Sequence, residues 1–185
     1  MLLPTYPLKT ARLVLRPFKK DDLAALHSFQ SSPDVTRYLY WEPRTRAETA
    51  KILAEKIENA RLTEPGRTLS LAVELVETGD LIGDLTLRCT SAEHRSGEIG
   101  VVFHPKHHGR GYAAEAATEL LRLGFEDLEL HRIFGRCDAR NVASASLLEG
   151  LGMRREAHLL ENELVKGEWT DELVYAMLAA EWRRR

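Results

Sequence analysis

The chain predicts an α/β (α+β mixed) fold: one mixed, mostly antiparallel sheet with helices on both faces. Three observations carry this prediction. Around a glycine-bearing loop at 109–111 the order is strand, helix, strand, helix, which demands a parallel neighbour. On either side of that unit, alternating apolar runs are joined by short turns and so pair antiparallel. At 185 residues, the chain is read as one domain over 1–185, with enough surface to bury a sizeable core.

The elements run in this order. Arg12 to Arg16 alternates as a strand, and Pro17 ends it. Asp21 is placed to cap a helix running to about Gln30, with Leu23, Leu26 and Phe29 on its apolar side. Thr45-Arg46-Ala47-Glu48 has capping-box spacing and opens a second helix to about Leu62, with the break at Glu64-Pro65-Gly66. Leu69, Leu71 and Val73 alternate in a strand, and Glu77-Thr78-Gly79-Asp80 turns the chain into a second, Leu81 to Arg88. A third strand, Glu98 to Phe103, delivers the loop. Ala113 to Phe125 is a crossover helix with an apolar side at Ala116, Ala117, Leu120, Leu121 and Gly124. Ile133 to Cys137 is the strand beside the loop strand. Asn141 caps a helix ended by Gly152, and a last hairpin turns at Lys166-Gly167.

Composition excludes several function classes. The net charge of −2 with dispersed basic residues argues against a nucleic-acid partner. No apolar stretch approaches the length of a membrane span, and Met1-Leu2-Leu3-Pro4 does not read as a signal peptide, so a cytoplasmic protein without a membrane partner is expected. Cys89 and Cys137 form neither a disulfide framework nor a metal spacing. His104, His107 and His108 cross a strand end and a tight loop with no cysteine or carboxylate at a ligand interval, so no metal is expected.

The loop, His104-Pro105-Lys106-His107-His108-Gly109-Arg110-Gly111-Tyr112-Ala113, carries the chemistry. Two glycines let the backbone turn tightly, and a helix start presents unpaired N–H groups and a partial positive charge, so a phosphate or pyrophosphate fits there. The spacing matches neither a P-loop, which needs Lys and then Ser or Thr after the second glycine, nor a dinucleotide fingerprint with its third glycine. A tight turn without ligand is the plainer alternative.

Lys106-His107-His108-Gly109-Arg110-Gly111 resembles the Gln/Arg-x-x-Gly-x-Gly/Ala pyrophosphate loop of the GNAT N-acetyltransferases, with Lys106 where the family usually carries Gln or Arg. The wider chain resembles their RimJ/RimL-type branch. Thr10 to Phe18, Arg37-Tyr38-Leu39 with Trp41, His131-Arg132-Ile133, Asp138 to Ser144, Leu151-Gly152-Met153 and Lys166 to Asp171 match in order. The resemblance implies a GNAT-like domain with a splayed central strand pair, and acetyl transfer from acetyl-CoA to a protein or peptide N-terminal α-amine. A small amine, polyamine or antibiotic-type, is the alternative acceptor. A non-catalytic acyl-CoA-binding regulatory protein is the alternative class.

The same resemblance implies the site. Backbone groups of Val101 and Phe103 would bind pantetheine, and amides of His108, Gly109, Arg110, Gly111, Tyr112 and Ala113 the pyrophosphate. Asn141 and Ser144 would lie near the pantetheine arm and the sulfur. Glu163 is expected as the base that frees the amine, Ser144 as proton donor to the CoA thiolate, and Glu98 as the competing base. Tyr38, Tyr40 and Trp41 would wall the acceptor cleft. Each also has a plainer use: strand-surface charge for Glu163 and Glu98, first-turn support for Ser144, capping for Asn141, core packing for the aromatics. Alternating strands near a sheet edge permit a homodimer without requiring one.

Overall fold

The computed structural model describes residues 4–62 and 66–185. Met1-Leu2-Leu3 and the expected break at Glu64-Pro65 lie outside the described residues. The strands are β1 (Leu8–Lys9), β2 (Leu13–Arg16), β3 (Thr68–Leu75), β4 (Leu81–Ser91), β5 (Ser96–Phe103), β6 (Arg132–Asp138), β7 (Arg154–Val165) and β8 (Glu168–Leu178). The α-helices are α1 (Leu23–Gln30), α2 (Pro33–Thr36), α3 (Arg46–Glu58), α4 (Tyr112–Arg122), α5 (Val142–Gly150) and α6 (Ala179–Trp182). The strands form one sheet in the order β1-β2-β3-β4-β5-β6-β8-β7, in which, among the described residues, only β5 and β6 run parallel. No helix among the described residues is long and apolar enough to cross a membrane.

Local chemistry explains most boundaries. Thr45 accepts the Glu48 amide, and the Glu48 carboxylate accepts the Thr45 amide at 2.8 Å, so the expected capping box opens α3. That helix ends at Glu58, short of Leu62, because Asn59 leaves the helical conformation and its carbonyl accepts the Ser70 amide of β3 at 2.8 Å. Asp21 does not cap the first helix; Asp22 holds the N-cap position of α1, without a side-chain capping bond to it. The buried Asp22 carboxylate takes the Lys19 amide at 2.8 Å and both Nη atoms of Arg16 at 2.9 Å, while Asp21 is exposed. The crossover helix starts one residue early, at Tyr112, and widens into a π-turn at Leu123–Asp127, where Leu128 N–H reaches the Leu123 carbonyl.

Strand alternation divides the core between the two faces. Leu69, Leu71 and Val73 of β3 with Leu85 and Leu87 of β4 pack beneath Ala116, Ala117, Leu120 and Leu121 of α4. On the opposite face Ala72 packs with Phe18, Leu26 and Phe29 under α1 and with Leu53 of α3. This second core leaves part of its face uncovered, and there the alternate positions turn polar: Thr68, Ser70, Asp84, Thr86 and Glu98.

Candidate active site

The central feature is a strand pair that opens. β5 and β6 pair at only three positions, Ser96 with Arg132, Gly97 with Ile133 and Glu98 with Phe134. Beyond them β5 keeps its partner β4 to Phe103, and β6 keeps its partner β8 to Asp138, while their facing edges separate. The Phe103 carbonyl accepts from His108 Nε2 at 3.0 Å, and the next residue, His104, donates its amide to Ile82 at 2.8 Å. Phe103 therefore turns its backbone groups toward the opening, and with a period of two so does Val101. These are the two residues expected to offer backbone groups to pantetheine.

The strand ends carry a cradle on each side of the opening. After β5, Gly109 and Gly111 adopt φ of +71° and +78°, the left-handed region that glycine enters without strain. The first amide of this stretch to find an acceptor is Glu115, which reaches the Gly111 carbonyl at 3.0 Å. The amides of residues 109–114 have no hydrogen-bond partner among the described residues. That is the donor array an anion needs, at the positive end of α4.

The loop is braced by a pair that the spacing of the motif does not reveal. Glu115 accepts from Thr10 Oγ1 (2.6 Å), the Arg12 amide (2.8 Å) and Arg12 Nε (2.7 Å). Arg12 Nη1 also donates to the Arg110 carbonyl at 3.0 Å, and its guanidinium lies 4.5 Å from the Tyr112 ring. Burial would raise the Glu115 pKa, but these hydrogen bonds outweigh it and hold it below the usual carboxylate value. Burial lowers the pKa of His104 and His107, assisted by neighbouring positive groups, so both favour the neutral imidazole.

After β6, Asn141 Oδ1 accepts the Ser144 amide at 3.1 Å and caps α5. Both residues also line the opening. A loop cavity of about 380 Å³ includes Tyr38, Val101, Phe103, His108, Gly109, Ala113, Asn141 and Ser144. A cleft cavity of about 460 Å³ lies on the α1/α3 face and shares Tyr38, Val101, Asn141 and Ser144 with it. The two meet where the strands part. Tyr40 and Trp41 line the cleft cavity, and none of the three aromatics is a core residue. Gly100 keeps this floor low, since a Cβ there would meet Thr86 Oγ1 at 2.5 Å.

A charged network stands at the mouth of the cleft. Arg136 donates from Nε to Glu98 at 2.8 Å and from Nη1 to Glu172 at 3.1 Å, and Glu163 lies 3.7 Å away. Burial alone would lower the Arg136 pKa, but the bond from Glu98 and the surrounding negative charges raise it. Glu172, only 2 % exposed, also accepts from Tyr40 Oη at 2.8 Å and from Asn162 Nδ2 at 3.1 Å. Burial, then the bond to Glu172, pushes the Tyr40 phenol well above its ordinary pKa.

Glu98 and Arg136 line the cleft cavity, whereas Glu163, with its side chain 39 % exposed, lines neither cavity. Arg136 and Glu172 were not singled out from sequence. Each stands among other polar residues of its strand, Arg132 and Asp138 in β6 and Glu168, Thr170 and Asp171 in β8, so no local signal marks either one. Cys137 also lines the cleft, but burial pushes its thiol up to about 11, which leaves no thiolate for nucleophilic work near neutrality.

Comparison with known proteins accords with this geometry. The model for the acetyltransferase (GNAT) domain matches residues 12–154. The uncharacterized N-acetyltransferase YnaD of Bacillus subtilis is 34% identical over 173 residues, covering 94% of this chain and 97% of its own. The crystal structure of a GNAT-family acetyltransferase from Bacillus anthracis superposes with a TM-score of 0.86 at 32% identity, covering 95% of this chain and 99% of that one. A spermidine N-acetyltransferase from Vibrio cholerae, solved in complex with CoA and spermine, superposes with a TM-score of 0.79 at 26% identity, covering 94% and 99%. With an opened strand pair, an amide cradle and matches running nearly end to end, the chain belongs to the GNAT family of acetyl-CoA-dependent N-acetyltransferases.

Proposed function

We propose that the protein acetylates a peptide or protein N-terminal α-amine, in the manner of the RimJ/RimL-type branch. The observation that supports transfer in this cleft is the meeting of the two cavities at the opened strands, with Val101, Asn141 and Ser144 common to both, and the choice of an α-amine follows the RimJ/RimL resemblance. Amides of Gly109 to Ala113 hold the pyrophosphate, the expected His108 amide being taken instead by the Pro105 carbonyl at 3.1 Å, and backbone groups of Val101 and Phe103 hold the pantetheine arm. The acceptor enters from the opposite face, between Tyr38, Tyr40 and Trp41. Acetyl-CoA supplies an activated thioester, and the amine displaces CoA as its thiolate.

The attacking amine must be neutral, and an α-ammonium titrates near 8. Glu98 takes the amine proton, directly or through water, because strand alternation turns it into the cleft that would hold the amine. Glu163, to which the resemblance gives this role, stands beside Arg136 and outside the linings of both cavities, a place that suits it to holding that guanidinium instead. Ser144 Oγ donates a proton to the departing thiolate. Backbone N–H groups on the opened edge of β5 are placed to stabilise negative charge developing on the carbonyl oxygen.

The second reading is a polyamine acceptor, favoured by the bound spermine of the Vibrio cholerae relative. The charge of the cleft speaks against it. Its lining carries Arg44, Lys56 and Arg136 against Glu55, Asp84 and Glu98, so the lining itself offers a polycation no net negative charge, Glu163 and Glu172 adding theirs only beside Arg136 at the mouth. Mass spectrometry of acetyl transfer, with CoA release followed in parallel, tests the choice. Acetylation confined to peptides with free N-termini supports the first reading; transfer to spermidine or spermine alone overturns it.

A further inference from the structure

The cleft contains a cation that no ion pair explains. Lys56 is paired with both oxygens of Asp84, at 2.9 and 2.8 Å, and Arg136 is paired with Glu98 and Glu172. Arg44, which lines the same cavity, forms no ion pair among the described residues. Its guanidinium stacks 3.9 Å from the Trp41 ring centroid and commits one donor, Nη1, to Gln30 Oε1 at 3.0 Å.

Stacking occupies a face of the guanidinium and leaves its in-plane N–H groups directed outward. The position is fixed from both sides. The Arg44 amide donates to the Gln30 carbonyl at the end of α1, and the next residue, Thr45, caps α3. Burial lowers the Arg44 pKa, and the more distant carboxylates of Asp84, Glu48 and Glu55 only partly offset it. Arg136, burdened in the same way, is raised by its partners. A partly buried guanidinium with free donors and no carboxylate partner is what an acidic ligand completes.

We infer that Arg44 reads a carboxylate on the acceptor, so that the preferred substrate is an amine bearing an acidic group: a peptide with an acidic residue at its N-terminus, or a free acidic amino acid. This rests on the acetyl-transfer reading of the cleft. The amine would be presented toward Glu98 and Ser144, while the acidic group reaches between Trp41 and Gln30 to the Arg44 donors. The two sources share one chemistry and differ only in whether the α-carboxyl is free or joined to a further residue.

The test uses short peptides identical except for Glu, Gln or Lys as the first residue, with free glutamate and glutamine as a second arm. In the wild-type protein, kcat/KM for the acidic acceptor exceeds that of its amide by about 10- to 100-fold, the range of a hydrogen-bonded charge pair. Arg44→Gln collapses the ratio to about one, and Arg44→Glu inverts it in favour of lysine. A preference seen with peptides but not with free amino acids identifies the peptide source, and the reverse identifies the amino acid. A wild-type ratio near one, or a lysine preference, overturns the inference, as does a ratio that survives Arg44→Gln.

A second measurement separates this from failure of the acetyl-transfer reading. N-acetylglutamate is titrated calorimetrically into CoA-loaded protein. If no acceptor turns over but the probe binds wild type and not Arg44→Gln, the carboxylate site stands and the acetyl-transfer assignment falls. If nothing turns over and the probe does not bind, Arg44 is not a carboxylate site.

Discussion

Replacing Glu98 by glutamine separates chemistry from structure in this cleft. The amide oxygen of glutamine can still accept from Arg136 Nε, now 2.8 Å from the carboxylate, and Arg136 keeps Glu172 at 3.1 Å. The lost pair is partly exposed, with side-chain exposures of 34% and 21%, so its contribution is about 1 kcal/mol or less. For a chain of this length that corresponds to a fall in Tm of roughly 2–4 °C. Removing a general base costs about 100-fold or more in rate, equivalent to about 2.7 kcal/mol of barrier. The effect on kcat/KM should therefore far exceed anything the loss of stability can explain. The assay is CoA release against acceptor concentration for wild type, Glu98→Gln and Glu163→Gln, with thermal unfolding of all three. Glu163→Gln should stay within about threefold of wild type. A Glu163→Gln enzyme that loses about 100-fold while Glu98→Gln does not would refute the reasoning and make Glu163 the base.

The same contacts have other consequences. Ser144→Ala keeps the α5 cap, since Asn141 accepts the Ser144 amide and not its hydroxyl, so kcat should fall about tenfold or more with little change in Tm. Asn141→Ala removes the cap, at a cost of about 1 kcal/mol. Its Tm should drop by roughly 2–4 °C, and its KM for acetyl-CoA should rise because Asn141 also lines the loop cavity. The depressed pKa of Glu115 means its carboxylate stabilises the fold above the unfolded-state value of about 4.3, and the contribution is lost as pH falls through the lower folded value. Urea unfolding of wild type and Glu115→Gln should differ most near neutrality and converge in acid; a difference that grows as pH falls would contradict this.

What was legible from sequence was the chemistry that acts over a few residues. The glycine loop, the Thr45–Glu48 box, the Asn141 cap and the Lys166-Gly167 turn each depend on neighbours within one turn of chain, so residue type and spacing suffice. The network at the cleft was less legible because it is assembled by register. Glu172 meets Arg136 and Tyr40 only after β8 has paired with β6 and the aromatic segment has folded across the sheet. The face on which Glu163 stands is likewise set by register. Between Leu159, opposite Glu172, and Glu163, opposite Thr170, β7 carries extra residues in a bulge, with Glu161 at φ +46°. Counting alternate positions through a bulge loses the face on which a side chain stands. Arg44 is illegible for a related reason: nothing local distinguishes an arginine whose carboxylate partner is missing from one that has it.

The three-position contact between β5 and β6 also makes the sheet mechanically uneven. Five strands, β1 to β5, form one continuous ladder, and β6, β8 and β7 form another, joined along a short seam. A cosubstrate arm lying in the gap as an extra strand would act as a splint across that seam, favouring the state in which the two ladders stay in line. Native-state hydrogen exchange should then show the β6–β8–β7 amides opening as a unit below the global unfolding energy, and acetyl-CoA should slow that opening more than it slows exchange in β3 and β4. The catalytic opening and the weakest line of the fold would be one place, and substrate would be what reinforces it.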